Sequence, residues 1–166
     1  HVLSRRQRQM CIRDSSGIAT AAGCQLVASC DLAYASENSK FATPGVNIGL
    51  FCSTPMVALS RVVKSKHSME MLLTGDFIDA NNAKNIGLIN NYFSEDSLVD
   101  EIRQIANKIA NKSSQTVKIG KKAFYNQAQM KTDDAYKYAS EIMIENMMNQ
   151  DSDEGISAFL EKREPN

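Results

Sequence analysis

The chain has 166 residues, of which 43% are hydrophobic, and it carries 19 basic and 19 acidic side chains. This length and composition predict one globular domain with a sizeable core. The balanced charge offers no field that would attract nucleic acid, and no apolar run reaches the ~20 residues needed to cross a membrane. We therefore expect neither a nucleic-acid partner nor a membrane span.

The four cysteines, Cys11, Cys24, Cys30 and Cys52, follow no metal-binding spacing, and both histidines lie far from any cysteine pair. We therefore predict no metal site. Three of these cysteines stand in apolar surroundings, where reduced thiols act as small hydrophobic side chains, which favours a reducing compartment. Cys52 could serve as a nucleophile, but no histidine is placed to activate it, which argues against that role.

Residues 1–15 are basic and polar, and their apolar side chains are too scattered for a helix face or a strand. Several arginines with few acids are typical of a transit peptide. A transit peptide would not adjoin the middle of a domain, however. We therefore favour the alternative, that residues 1–15 are non-native sequence, either poorly ordered or packed without native contacts.

The stretch 16–50 carries the most informative pattern in the chain. It opens with small residues and then becomes amphipathic, which predicts a tight turn and a helix from Ala22 to about Ser29 or Cys30. Backbone N–H groups at such a helix start lack acceptors and suit an anion or a developing oxyanion. From spacing alone, the pattern favours the plainer interpretation of a packed strand, helix and strand. The elements that follow are a strand over 31–37 and a turn over 43–45.

Apolar spacing and capping residues predict the elements of the next part of the chain. In order these are a loop over 51–54, a helix beginning near Pro55, a helix over 65–74 closed by Gly75, a helix over 80–86 capped by Asp79, an extended segment over 88–93, and a helix over 95–112. Three more helices are predicted to follow, the first capped by Ser114, the second beginning near Asp133 and the third beginning at Ser152. The fold class is therefore α/β, with a helical C-terminal region.

Several runs of the sequence resemble the enoyl-CoA hydratase/isomerase (crotonase) superfamily. They are GIATAAGCQL at 17–26, CDLA at 30–33, FATPGVNIGL at 41–50, LTG at 73–75 and GISAFLEKR at 155–163. The resemblance extends from Ser16 to the end of the chain. It implies that 16–112 is the C-terminal part of the ββα spiral core and that 113–166 is a helical trimerisation region. It also implies a buried strand before Ser16, and the pattern of residues 1–15 does not predict one.

The resemblance implies chemistry on acyl-CoA thioesters, with coenzyme A as part of the substrate or ligand and no separate cofactor. Family members hold the thioester carbonyl oxygen between two backbone N–H groups, and the second of these maps onto Ala22. The substrate-binding positions implied in the same way are Gly23, Leu50, Phe51, Phe159 and Lys162. A solvated helix end is an equally good interpretation of Lys162, because the helix dipole also favours lysine there.

The sequence departs from the hydratases at two positions. Gln25 and Gly45 stand where those enzymes carry the glutamates that move protons to and from water and the α-carbon. Glutamine does not exchange a proton near neutral pH and glycine has no side chain, so ordinary hydratase activity is predicted to be weak or absent. We also expect the space at Gly45 to admit a larger acyl group.

Three hypotheses follow. The chain belongs to an acyl-CoA enzyme of fatty acid metabolism that uses the oxyanion hole with another base, to a CoA-thioester-binding or regulatory protein without turnover, or to a structural subunit or inert fragment. We favour the first, because much of the superfamily varies the base and keeps the oxyanion hole. The resemblance further implies a homotrimer or homohexamer, in mitochondria if the source is eukaryotic and in the cytoplasm if it is bacterial.

Overall fold

The computed structural model describes residues 12–164, although the side chains of residues 12–14 and 150 are not described. These residues form two compact units, one ending at Ala106 and the other beginning at Asn107. The sequence analysis placed the division later, after residue 112. The first unit contains both sheets and the candidate site, and the second is helical.

Two small sheets of three strands each lie in the first unit. In one, β1 (Ile12–Ser15), β3 (Leu32–Ser36) and β6 (Asn91–Phe93) run parallel in that order. In the other, β4 (Lys40–Ala42) lies between β2 (Ile18–Thr20), to which it is parallel, and β5 (Ile78–Asp79), to which it is antiparallel. The order matters for the site because β2 leads directly into the first helix and β4 leads into the turn at residues 44–50.

Eight α-helices occur in the described part of the chain. They are α1 (Ala22–Ser29), α2 (Ser53–Val62), α3 (Ser65–Thr74), α4 (Ala80–Asn85), α5 (Leu98–Ala110), α6 (Ser114–Gln127), α7 (Thr132–Met147) and α8 (Gln150–Glu161). A 3-10 helix, Pro44–Ile48, lies between β4 and α2. None of these helices is long and apolar enough to cross a bilayer.

The prediction that residues 1–15 supply no strand is wrong for Ile12–Ser15, which form strand β1. This strand pairs in register with β3, from Ile12 beside Leu32 to Ser15 beside Ala35. The buried Ser39 hydroxyl also donates a hydrogen bond to the Ser15 carbonyl oxygen at 2.7 Å. A strand of four residues shows too little periodicity to be recognised, and this one is held by backbone pairing with a partner that lies distant in sequence. Residues 1–11 lie outside the described residues.

Several helix boundaries were predicted correctly because local signals define them. Helix α1 begins at Ala22, helix α3 spans Ser65–Thr74 as predicted, and Gly75 closes α3 in the left-handed conformation at φ 67°. The cap of α6 was placed one residue too late, because the Ser113 hydroxyl, not that of Ser114, accepts the hydrogen bond of the Thr116 N–H.

The core of the first unit is built around three large side chains that are fully buried, Phe41, Leu59 and Leu72. They come from β4, α2 and α3, so the core joins the second sheet to the helices that follow it. Cys24 and Val27 of α1 belong to the same cluster. Helix α1 packs against α2, which fixes its buried face and leaves Ala22 at the exposed start of the helix.

We predict that Asp79→Ala lowers the free energy of unfolding by about 1 kcal/mol, the usual loss for an N-cap. The Asp79 carboxylate accepts a hydrogen bond from the Asn82 N–H at 2.7 Å, so alanine leaves that N–H without its partner. Urea unfolding of the two proteins measures the difference. Asp79→Asn is the matched control and should unfold near the wild-type midpoint, because the amide oxygen caps as well. Equal losses in both variants would contradict a capping role.

Candidate functional site

The candidate site begins at a strained turn between β2 and α1. Ala21 lies at φ 45° and ψ −108°, a conformation that residues other than glycine seldom adopt. Its N–H donates to the Ala42 carbonyl oxygen at 3.0 Å, and its carbonyl oxygen accepts from the Gln25 N–H at 2.9 Å. The bond from the Gln25 N–H is the first hydrogen bond of helix α1. The turn is therefore fixed to the end of β4 on one side and to α1 on the other.

This turn leaves the start of α1 with unbonded backbone donors. Ala22 is the first helical residue and is exposed, and its N–H finds no acceptor among residues 12–164. At the next residue, Gly23, an added Cβ would lie 3.7 Å from the Ala19 Cβ, which is an ordinary van der Waals contact. Unbonded N–H groups and the helix dipole together favour negative charge at this point.

The segment that follows β4 is held in place by contacts with α3 and with Gly75. The buried Thr43 hydroxyl donates to the Met71 carbonyl oxygen at 2.9 Å, and this fixes the segment to α3. Gly75 approaches so closely that an added Cβ would lie 3.0 Å from the Asn47 side chain and 3.1 Å from that of Val46. The turn predicted at 43–45 is thus the beginning of the 3-10 helix Pro44–Ile48, packed against α3.

Gly45 has no free space beside it, so the expectation of room for a larger acyl group is wrong. An added Cβ would lie 2.6 Å from the Leu50 carbonyl oxygen and 2.8 Å from the Cys52 Sγ, distances that real Cβ atoms do not show. The Gly45 N–H donates to Cys52 Sγ at 3.3 Å, and the Gly45 carbonyl oxygen accepts from the Leu50 N–H at 2.9 Å. A chain that closes on itself this tightly requires glycine at position 45.

The same turn presents apolar side chains to solvent. Leu50 is 63% exposed and Phe51 44% exposed, whereas the next residue, Cys52, is only 8% exposed. Large apolar side chains that remain exposed suit a ligand with an apolar tail. Leu50 and Phe51 were both predicted from the sequence as substrate-binding residues, and their contact with a ligand stays a prediction.

Phe159 and Lys162 belong to the second unit. Phe159 is 82% exposed on α8, and Lys162 ends that helix at φ 58° with an exposed side chain. The adjacent Arg163 binds Glu154 and Glu161, with closest distances of 2.6 Å to each carboxylate. These hydrogen bonds, first that of Glu154 and then that of Glu161, raise the pKa of the Arg163 guanidinium. The predicted contact of Phe159 and Lys162 with coenzyme A stays a prediction.

Cys24 is not available as a nucleophile at neutral pH. It is fully buried in the core, and burial raises the pKa of its thiol to about 12, with a further contribution from the charge that Cys52 would carry. A neutral, inaccessible thiol does not attack a thioester. The described residues contain no group of three or more histidine, cysteine or acidic side chains that could hold a metal ion.

Sequence reasoning named Ala22, Gln25 and Gly45 as site residues, and these roles stay predictions; it did not anticipate the contact that Cys52 makes. It considered this residue only as a nucleophile, whereas the structure places its sulfur against the Gly45 backbone. One sequence signal could have indicated this contact. Cys52 lies shortly before a predicted helix, in a segment whose chain must return towards Gly45. Spacing does not show such a contact, because it depends on the dihedral angles of the turn.

Comparison with known proteins settles the family. The sequence model described as enoyl-CoA hydratase/isomerase matches residues 8–166. The chain belongs to this family. The fold agrees, because the crystal structure of an enoyl-CoA hydratase from Mycobacterium smegmatis is similar at a TM-score of 0.92 and 49% identity, covering 96% of this chain and 63% of that one.

Two other members of the enoyl-CoA hydratase/isomerase family are also similar. Human enoyl-CoA hydratase domain-containing protein 3 matches in its crystal structure at a TM-score of 0.88 and 52% identity, covering 90% of this chain and 59% of that one. The mitochondrial protein of the same name from Xenopus laevis is 51% identical over 93% of this chain and 52% of its own length. The chain therefore spans about half the length of such curated relatives.

We predict that Gly45→Ala lowers the free energy of unfolding by about 1–3 kcal/mol, the usual effect of overpacking, because the new methyl group meets a backbone carbonyl that cannot yield cheaply. Urea unfolding measures the loss. Gly120→Ala is the matched control, since nothing lies within 4 Å of an added Cβ at that exposed position of α6. It should stabilise the helix by about 1 kcal/mol. If Gly45→Ala were neutral, the crowding at position 45 would not exist in solution.

Proposed function

We propose that this chain is part of a protein that binds acyl-CoA thioesters and holds the thioester carbonyl oxygen at the Ala22 N–H. The observation that carries the proposal is the position of Ala22 as the first residue of α1, directly after the strained turn, with an N–H that meets no acceptor among residues 12–164. A thioester carbonyl is a neutral acceptor that becomes an oxyanion when an enolate forms. A fixed donor therefore binds the enolate more strongly than the substrate.

The absence of a proton-exchanging side chain at positions 25 and 45 limits the reactions that we propose. Neither Gln25 nor Gly45 exchanges a proton, and the structure leaves no room for a side chain at position 45. Each positioned acid or base contributes roughly 100-fold to 10,000-fold, so hydration of an enoyl thioester is expected to be slow. Isomerisation, hydrolysis or decarboxylation with a base from elsewhere in the protein is the function we favour. Thioester binding without turnover is the second candidate, and the absence of both glutamates favours it.

The wider setting is also a proposal. The relatives named mitochondrial suggest a mitochondrial protein of fatty acid metabolism if the source is eukaryotic. The second unit carries large exposed apolar side chains on α7 and α8, among them Tyr136, Met143, Phe159 and Leu160. Such surfaces support association into a homotrimer or homohexamer through the helices spanning 114–163, because exposed apolar area of this kind is usually covered by a partner.

The role of Ala22 is tested by replacing its backbone N–H with an ester oxygen, which leaves the side chain unchanged. We expect the carbonyl stretch of a bound ¹³C-labelled acyl-CoA to return towards its value in water, because a donor to the oxygen has been removed. In an enzyme, losing one such donor lowers kcat by on the order of 100-fold to 1,000-fold. Infrared spectroscopy of the complex measures the shift without requiring turnover.

The control for this experiment is the same ester at Ala28, which is buried within α1. That change removes a donor of the helix and should lower stability clearly. The ester at Ala22 removes no helix donor and only weakens the Ala21 carbonyl as acceptor of the Gln25 N–H, so its loss of stability should be smaller. A carbonyl stretch that is identical in the parent and the Ala22 ester would show that the thioester does not bind there. Failure of the parent to bind any acyl-CoA would reject the proposal outright.

The absence of the family's glutamates leads to a prediction for the substitution of Gln25 by glutamate. Gln25→Glu should raise crotonyl-CoA hydration by roughly 100-fold over the parent, the low end for one positioned acid or base. Gln25→Ala is the control and should leave the low rate unchanged. Spectrophotometric loss of the enoyl thioester measures all three proteins. A parent rate as high as that of ordinary hydratases would mean that another residue performs the proton transfers.

A further inference from the structure

Cys52 occupies the space that any side chain at position 45 would need. Its Sγ lies 2.8 Å from the place of an added Gly45 Cβ and accepts the Gly45 N–H at 3.3 Å. The thiol is buried, and its residue directly precedes α2, where the Cys52 carbonyl oxygen accepts from the Met56 N–H at 2.9 Å. The sulfur therefore joins the beginning of the turn to the start of a helix that packs in the core.

The hydrogen bond between the Gly45 N–H and Cys52 Sγ closes the part of the turn that carries the exposed apolar side chains. Gly45 is also bonded through its carbonyl oxygen to the Leu50 N–H at 2.9 Å, so both polar groups of its backbone are used to close the segment 45–52. Leu50 and Phe51 lie inside this closed segment and point their exposed surfaces to solvent. The sulfur contact is the one hydrogen bond among residues 12–164 that joins Gly45 to Cys52. Leu50 is held in addition by its bond to Gly45, and the Phe51 carbonyl oxygen accepts from the Ser53 N–H at 2.7 Å, so the sulfur adjusts the position of these two residues and does not fix it alone.

The opposite side of the turn has its own attachments. The Thr43 hydroxyl binds the Met71 carbonyl oxygen, and Gly75 packs against Asn47 and Val46. These contacts do not involve the sulfur and keep residues 43–47 in place, so loss of the thiol should loosen residues 48–52 without unfolding the unit. A local release of this kind changes the geometry of Leu50 and Phe51 and leaves the core in place.

We propose that Cys52 is a positioning residue, whose thiol holds the closed turn 45–52 and thereby sets the preference for acyl chain length at Leu50 and Phe51. The second half of this statement rests on the proposed function, namely binding of acyl-CoA. The thiol itself does not contact the ligand. It acts through the Gly45 backbone, and its effect therefore differs from that of a nucleophile.

The first test measures the turn without a ligand. Amide hydrogen exchange at Gly45 should become about five- to tenfold faster in Cys52→Ala, which removes the sulfur acceptor, the change expected from loss of one modest hydrogen bond. Cys52→Ser keeps an acceptor and should restore most of the protection. Val63→Ala is the control for stability, because Val63 is a buried core residue with no part in the turn. It should leave Gly45 exchange unchanged.

The second test compares the binding of butanoyl-CoA and dodecanoyl-CoA by calorimetry. The ratio of their dissociation constants should shift by at least about threefold in Cys52→Ala, because a released turn alters the apolar contacts that a long chain makes. Cys52→Ser and Val63→Ala should keep the parent ratio. Unchanged exchange at Gly45 in Cys52→Ala would overturn the proposal whether or not acyl-CoA binds. Faster exchange with an unchanged ratio would overturn the link to chain length, whereas a parent that binds neither thioester would refute the proposed function instead.

Discussion

The hydrogen bond from the Ala21 N–H to the Ala42 carbonyl oxygen, at 3.0 Å, connects the parts of the candidate site. Ala42 is the last residue of β4 and is fully buried, so this carbonyl is a fixed point. The bond connects Ala42 to the strained turn at Ala21, which directly precedes α1. Thr43 and the 3-10 helix follow Ala42 in the chain. The donor-bearing helix start and the turn that carries Leu50 and Phe51 are therefore anchored to the same strand end.

The two halves of this arrangement have different chemical consequences. The start of α1 supplies backbone donors, which stabilise negative charge without taking part in proton transfer. The turn supplies apolar surface and, at Gly45, a backbone packed so closely that no side chain fits. Neither the Gln25 side chain nor Gly45 exchanges a proton near neutral pH. The first unit therefore offers backbone donors at the start of α1 and has no carboxylate at positions 25 and 45.

Local signals explain which structural predictions were confirmed. The small residues before Ala22, the glycine after Thr74 and the aspartate before Ala80 each act within one helical turn, and all three boundaries lie where the sequence placed them. The prediction was wrong where structure depends on a distant partner. Ile12–Ser15 form a strand because β3 offers a backbone to pair with, and the four residues alone carry no pattern that would reveal it.

The sequence by itself determined the family, most of the helices and the absence of a proton-exchanging side chain at positions 25 and 45, because residue identity and short-range spacing decide these properties. Only the tertiary structure decided that Gly45 stands in a closed space. Its neighbours there, the Leu50 carbonyl oxygen and the Cys52 sulfur, are close in sequence, but their approach depends on the backbone angles of the turn and on its packing against α3. Those angles result from contacts that bring distant residues together, such as Thr43 with Met71, and no periodicity along the chain encodes them.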